Sequence, residues 1–477
     1  MGRIARLAAV LAITTGCLLE ACDASGKPRA APTSVAPATA VPSASSAVSS
    51  SVPASSSTSD APPPAAWPTY NRSTDRTGVA EGTPRPSSLA VAWAQHLDGA
   101  VYGQPLVIGG SVVVATENDS VYAFDLATGA PQWHAALGTP VPLSHLPCGD
   151  IDPLGITGTP AYDPATGSVF VVTETTGGAH DLVALAAGTG AVRWRANLDV
   201  AGRDRAAEQQ RGALAVANGR VYVPFGGLFG DCGNYVGYVT ATPTSGDGPT
   251  SHYAVPTSRA GGIWATSGPA IGGDGTVYVA VGNGAAESGA YDGSDAVLRL
   301  SADLSSRLDF FAPASWAQEN ATDTDLGSAG PLLLGDGLVV QSGKDGHLYV
   351  LGASHLGGIG GAGATGAGCA SFGGLASDGD AVFAPCTSGL RRFDVTATSV
   401  AERWRAPVTG PPVVGGGAVW SMDTGSGALH AYDESSGAGL ASLHVGPVTR
   451  FTSPVVVGAL VLVATRSSVV AVHIVAG

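Results

Sequence analysis

The sequence predicts an all-β protein: an eight-bladed β-propeller of four-stranded antiparallel blades, the last blade completed by the N-terminal strand. Three observations lead there. First, one phrase is written twice, as SVYAFDLATGAPQW at residues 120–133 and DLVALAAGTGAVRW at residues 181–194. Each copy has strand formers, then Ala, then Thr-Gly, then a Trp four residues after that Gly. Second, weaker copies recur at intervals on the order of 40–60 residues, the period of propeller blades. Third, the last copy ends at Gly477 without a Thr-Gly turn or a closing Trp, whereas residues 89–93, Leu-Ala-Val-Ala-Trp, form a strand with a Trp and no partner strands before it. Joining the two ends of the chain removes the last open sheet edge.

The elements of each unit follow in order. First strands are often led by Gly-Pro, Thr-Pro or Ser-Pro, as before Pro160, Pro269, Pro331 and Pro454. Second strands are the apolar runs at 111–116, 168–173, 220–224, 276–281, 337–342, 380–384, 417–422 and 459–465. Third strands recur in degenerate form at 295–300, 346–351, 390–394, 428–433 and 468–472. One such sheet cannot bury both of its faces, so the sheets stack radially and the ring closes. Thr-Gly supplies the tight turn between third and fourth strands. The Trp that follows offers a large apolar contact between blades. Trp133, Trp194 and Trp404 are therefore read as structural. Asp274-Gly275, Asp336-Gly337 and Asp378-Gly379 are hairpin turns rather than calcium loops, since no EF-hand spacing accompanies them.

Composition agrees with this reading and narrows the function. Charged residues are only 13 % of the chain and Gly is 68 of 477, which suits short strands and tight turns and not a helical protein. A formal net charge of −14 without a basic patch excludes nucleic acid as a partner. Residues 1–21 form a signal peptide: Arg3 and Arg6 precede an apolar stretch, 7–13, too short to span a bilayer. Leu19-Glu-Ala-Cys22 resembles the bacterial lipoprotein signal, which implies lipidation of Cys22; Cys17 fits less well, and an ordinary secretory signal is the alternative. The expected location is extracytoplasmic, lipid-anchored to the bacterial cell membrane or secreted. Residues 22–65 are an Ala/Ser/Pro tether, disordered by composition, and residues 66–477 are the propeller, expected to be a monomer. Four further cysteines, Cys148, Cys232, Cys369 and Cys386, suit an oxidising compartment. Their number leaves three pairings open, of which Cys148–Cys232 with Cys369–Cys386 is favoured.

The repeats resemble those of the quinoprotein alcohol dehydrogenase-like propellers, whose signature ends in Thr-Gly and Trp. That superfamily holds dehydrogenases dependent on pyrroloquinoline quinone (PQQ) and also cofactor-free scaffold lipoproteins of the outer-membrane assembly type. The middle of this chain is similar to the dehydrogenases, and its motif order to the polyvinyl-alcohol-dehydrogenase-like members. The resemblance implies that Trp264, in Gly-Ile-Trp264, stacks on the quinone, and that Asn283, ending Val-Tyr-Val-Ala-Val-Gly-Asn283, offers calcium an oxygen. It implies that Asp325, in Asp323-Thr-Asp325, is the catalytic base and a metal ligand, and that Lys344, in Ser-Gly-Lys344-Asp-Gly, stabilises charge on the quinone oxygens. Lys344 stands out on composition alone: the chain has two lysines, and Lys27 lies in the tether. Two departures are visible. The adjacent cysteine pair of many relatives is reduced to Cys148, with Cys232 in Gly-Asp-Cys232-Gly as its candidate partner, and the Glu calcium ligand is replaced by a stretch in which Asp231 is the nearest carboxylate.

Other signals are weaker. Glu174 is read as a polar rim residue of the channel, and His145, His180 and His355 show no ligand spacing. No c-type haem motif, GxSxG, HExxH or Walker motif occurs. Two functions remain: a PQQ- and calcium-dependent dehydrogenase acting on a small alcohol or polyol, and a non-catalytic envelope scaffold that binds a protein partner without a cofactor. They differ on geometry, because an enzyme needs Trp264, Asn283, Asp325 and Lys344 at one end of the channel.

Overall fold

The computed structural model describes residues 65–477. The signal peptide, Cys22 and the tether up to residue 64 lie outside the described residues. Eight sheets follow one another along the chain, four of them four-stranded and four extended to five, antiparallel except where Val79–Ala80 and Gly358–Ile359 add in parallel at an edge. The first is built on Leu106–Ile108, Ser111–Thr116, Ser120–Asp125 and Pro131–Ala136, and the second on Ala161–Asp163, Ser168–Thr175, Ala179–Ala186 and Val192–Asn197. The extra strands are short additions such as Glu208–Gln209 in the third blade and Gly358–Ile359 in the fourth. In the eighth blade the N-terminal strand Pro86–His96 pairs antiparallel with the C-terminal strand Ser468–Ala476, so the ring closes as the sequence predicts.

The repeated phrase is a joint between blades. Trp133, on the fourth strand of the first blade, donates from Nε1 to the carbonyl of Ala187 at 3.0 Å and covers Gly190 in the turn of the second blade. A Cβ on Gly190, whose φ is +69°, would lie 2.4 Å from the Trp133 ring. Trp93 covers Gly129, Trp194 covers Gly246 and Trp404 covers Gly437 in the same way. Each Trp thus needs the next blade's glycine: it buries a large apolar face only where no side chain stands beneath it.

A second closure is not visible in the sequence. Before Pro86 the chain visits the inner edges of the blades in order. Trp67 pairs with Val107 of the first blade. The Pro68 carbonyl accepts from Tyr162 N at 2.8 Å in the second, and Thr69 Oγ1 donates to Leu214 O at 3.1 Å beside the third. The carbonyls of Thr74, Asp75, Thr77 and Gly78 then accept from Ile271, Leu333, Ser377 and Val414, in blades four to seven. Arg76 is buried at the centre of this strap and donates to the carbonyls of Pro269, Tyr70 and Leu214 and to Thr69 Oγ1. Backbone groups that would face an empty channel are satisfied instead.

Candidate functional site at the channel mouth

In an antiparallel blade the turns alternate between ends. The turns joining second to third strands share one end of the ring with the segments that cross from each fourth strand to the next blade. The Thr-Gly turns lie at the other end. Asp231, Asn283 and Lys344 fall in second-to-third turns, after Arg220–Gly227, Val277–Val281 and Leu338–Ser342. Trp264 and Asp325 fall in crossings, before Ala270–Ile271 and Leu332–Leu333. Topology alone therefore sends all five to the same end, and they line one cavity of about 470 Å³ there.

Asp325 is the deepest of them. It is 0 % exposed, between the helix Trp316–Thr322 and the short 3-10 turn Leu326–Ser328. Its Oδ2 lies 2.6 Å from Lys344 Nζ, and its buried Oδ1 has no hydrogen-bond partner. Lys344 also donates to Asp323 Oδ1 at 2.6 Å, and its ammonium stands 5.6 Å from the centre of the Trp264 ring, a cation–π contact. A Cβ at Gly282 would lie 3.1 Å from both Asp325 Oδ1 and Trp264 Nε1, which places these groups together at the end of the fourth blade's second strand. Gly343 permits the close approach, because a Cβ there would come within 2.6 Å of Leu326 Cα. The Lys344 amide then donates to the Asp325 carbonyl at 2.9 Å. Asn320, on the helix, accepts from Gly284 N and donates to Ala286 O, fastening the Asn283 turn to the segment that carries Asp325.

The electrostatics favour a carboxyl that titrates near neutrality. Burial pushes Asp325 up, Lys344 pulls it back, and it settles at about 6. Behind it, burial and the negative charges of Asp325 and Glu319 raise Asp295 to about 9. Asp295 accepts from Leu326 N at 3.1 Å, and its other oxygen is buried without a partner. Asp231 is engaged elsewhere, accepting from the Tyr235 hydroxyl at 2.5 Å. Among the described residues no three Asp, Glu, His or Cys side chains converge as a metal-binding group.

The bridge Cys148–Cys232 joins the first-to-second crossing to the Asp231 turn, and Cys369–Cys386 forms within the sixth-blade region. One reading needs correction. Glu174 is not a rim residue: it is 1 % exposed, its Oε2 is 3.3 Å from His180 Nε2, and His180 Nδ1 is 2.9 Å from Asp199 Oδ1. The pairing follows from the hairpin, which sets Glu174 opposite His180, and single-residue spacing along the chain does not reveal it. Sequence reasoning also missed Tyr235 and an arginine-rich wall across the cavity, whose residues lie in crossings and turns with no motif around them.

Fold and cavity together define the class: an eight-bladed propeller of quinoprotein alcohol dehydrogenase-like and BamB-like architecture. Residues 85–226 match the family model described as outer membrane protein assembly factor BamB. Quinohemoprotein alcohol dehydrogenase from Comamonas testosteroni superposes with a TM-score of 0.67 at 16 % identity, covering 87 % of this chain and 81 % of that one. A europium-containing methanol dehydrogenase gives 0.67 at 16 % identity, over 86 % of this chain and 98 % of the other. BamB from Moraxella catarrhalis gives 0.57 at 16 % identity, over 81 % and 99 %. No curated protein sequence matches the chain.

Proposed function

We propose that this is an extracytoplasmic, lipid-anchored quinoprotein-like propeller that oxidises an alcohol or polyol at the channel mouth. The observation that carries the reading is the convergence of Trp264, Asn283, Asp325 and Lys344, from different turns and crossings, on one cavity. Two disulfides and the relation to quinoprotein and BamB propellers support a location outside the cytoplasm.

The residues fit a flat, electron-poor ring. Trp264 offers an aromatic face, Lys344 a cation beside it, and Asp325 an orphaned, buried oxygen next to both. Bound PQQ would supply the two-electron acceptor that no side chain here provides. Asp325, a carboxylate above pH about 6, accepts the hydroxyl proton of the substrate at Oδ1. Lys344 keeps that carboxylate ionised despite its burial and places positive charge where a ring oxygen would gain electron density. The donor set does not fit calcium in the same way. Among the described residues no three carboxylate, imidazole or thiolate groups converge, Asp231 Oδ1 accepts from Tyr235 and Asp325 Oδ2 is held by Lys344, and no step is assigned to the metal.

The incomplete metal set and the BamB-family match at residues 85–226 favour a second reading, a cofactor-free envelope scaffold. Titration of the purified protein with PQQ, with and without calcium, separates the two through tryptophan fluorescence. Saturable quenching that disappears in Trp264→Ala and weakens in Lys344→Ala is expected. Absence of quenching in folded protein at high micromolar PQQ removes the dehydrogenase reading and leaves the scaffold.

A further inference from the structure

The cavity carries an exposed aromatic side chain that the quinone reading does not use. Phe229 is 64 % exposed, the most exposed of the large hydrophobic residues described. The others, Val91, Val192, Leu308, Ile359 and Val475, lie on strands away from the cavity. Phe229 instead follows the strand Arg220–Gly227, in the turn between second and third strands of the third blade, and lines the cavity. Tyr102 and Leu228 line the same side and both pack on the small core of Val141, Ile151 and Leu154 beneath the turn. The charged neighbours are engaged: Asp231 accepts from Tyr235, and Asp150 acts electrostatically on Arg211.

Single exposed apolar side chains are ordinary on a protein surface. Phe229 is set apart by its place in a cavity wall and by the rigidity of its mount. Cys232 is bridged to Cys148. The carbonyls of Asp231 and Gly233 both accept from the Arg259 side chain. Leu228 N donates to Ala207 O at 3.1 Å, and Asn234 N to Asp204 Oδ2 at 3.2 Å. The strand before the turn is pressed against the floor of the site. A Cβ at Gly226 would lie 2.8 Å from Trp264 Cβ, and one at Gly227 would lie 2.2 Å from the Tyr235 ring. Three residues of chain reach at most about 10 Å, so Phe229 stands within that reach of the Trp264 contact. The backbone has no freedom to carry the ring away from the mouth, and a scaffold that holds apolar surface in a cavity wall prepares it for a ligand.

We propose that Phe229 is a specificity-determining residue, so that the alcohol presenting its hydroxyl to Asp325 carries an apolar alkyl or aryl group that packs on Phe229. The proposal rests on the dehydrogenase reading and narrows its substrate class. A hydrocarbon group placed against Phe229, Leu228 and Tyr102 is favoured by the area it removes from water, and an aromatic one gains a ring–ring contact. A sugar alcohol has a hydroxyl on every carbon and would surrender hydration to an apolar wall that returns no hydrogen bond. Asp325 then selects the hydroxyl, and Phe229 selects what the hydroxyl is attached to.

Saturation-transfer NMR on the purified protein incubated with PQQ tests it, using benzyl alcohol and 1-hexanol against glycerol and sorbitol. Saturable binding of the two apolar alcohols is expected at concentrations where glycerol and sorbitol show none. In Phe229→Ala that binding should weaken about fivefold or more, while Phe229→Leu, which keeps an apolar side chain, should hold 1-hexanol within about twofold of the wild type. The ring is exposed, so both variants should keep the fold, as circular dichroism would verify. PQQ quenching of tryptophan fluorescence is measured on the same variants and is expected to change less than about twofold. With quenching intact, equal binding of benzyl alcohol by the wild type and Phe229→Ala, or sorbitol bound as tightly as benzyl alcohol, overturns the proposal and spares the dehydrogenase reading. Joint loss of alcohol binding and PQQ quenching in Phe229→Ala would assign the ring to the quinone and overturn it as well. Absence of quenching in the wild type removes the dehydrogenase reading and the substrate assignment with it.

Discussion

The ammonium of Lys344 lies 2.6 Å from Oδ2 of Asp325, a carboxylate with no exposed surface, and 2.6 Å from Oδ1 of the exposed Asp323. One cation, the single lysine of the propeller, therefore spans a buried and a solvated acid at the mouth of the channel. Its compact charge makes this geometry possible; a planar guanidinium would need more room and a different approach.

Lys344 should set the protonation of Asp325. Burial is the larger influence and raises Asp325; Lys344 opposes it and holds the group at about 6. In Lys344→Met the opposing influence disappears, and the pKa of Asp325 should climb by a unit or more, ~1.4 kcal/mol per unit. The acid limb of the pH dependence of quinone-dependent alcohol oxidation should move to higher pH with it. An unmoved acid limb in the variant would show that Asp325 does not titrate in this step.

Stability should fall as pH rises through the neutral range. Burial holds Glu117 and Asp119 at about 8 and Asp295 at about 9, all above their unfolded values. For His180 burial acts downward, but Glu174 and Asp199 outweigh it and raise the ring to about 10. Each of these groups keeps its proton in the folded chain over a range where the unfolded chain has lost it. The folded state therefore binds more protons, and stability declines with pH. The contribution of His180 is complete below its unfolded pKa and vanishes above about 10. A melting temperature several degrees higher at about pH 5.5 than at about pH 8.5 is expected; a flat or rising profile would contradict the burial of these groups.

Arg76 should matter for the fold and not for the cavity. It is 1 % exposed and ties the N-terminal strap to the carbonyls of Pro269 and Leu214. Arg76→Leu removes both of its hydrogen bonds to the Pro269 carbonyl and leaves the Leu214 carbonyl with Thr69 Oγ1 alone, at a cost of about 1–3 kcal/mol. Thermal unfolding should move down by several degrees, with binding at the channel mouth retained in the protein that remains folded. A variant as stable as the wild type would mean that water replaces the guanidinium in the channel.

Much of the fold was legible because repetition is local. The Thr-Gly turn and its Trp lie within one unit, so Trp133 and Trp194 announce themselves by spacing, and their docking on Gly190 and Gly246 follows from stacking identical units. The closure of the eighth blade was legible from what the last unit lacks. The candidate site was legible in part, at Trp264, Asn283, Asp325 and Lys344, because family-like motifs surround those residues. Their assignment to one end of the channel needed the topology.

The sequence by itself determined the blade number, the strand order within a blade, the tryptophan joints and the ends that meet. These depend on periods of two residues in a strand and of tens of residues between blades, and both are written along the chain. Only the tertiary structure decided that residues 65–80 strap the inner edges of seven blades, that His180 is buried between Glu174 and Asp199, and that Arg211, Arg450 and Arg466 face Lys344 across one cavity. Closing a ring brings together crossings and turns that are hundreds of residues apart. No local pattern encodes such a meeting, because the ring that creates it exists only once every blade is in place.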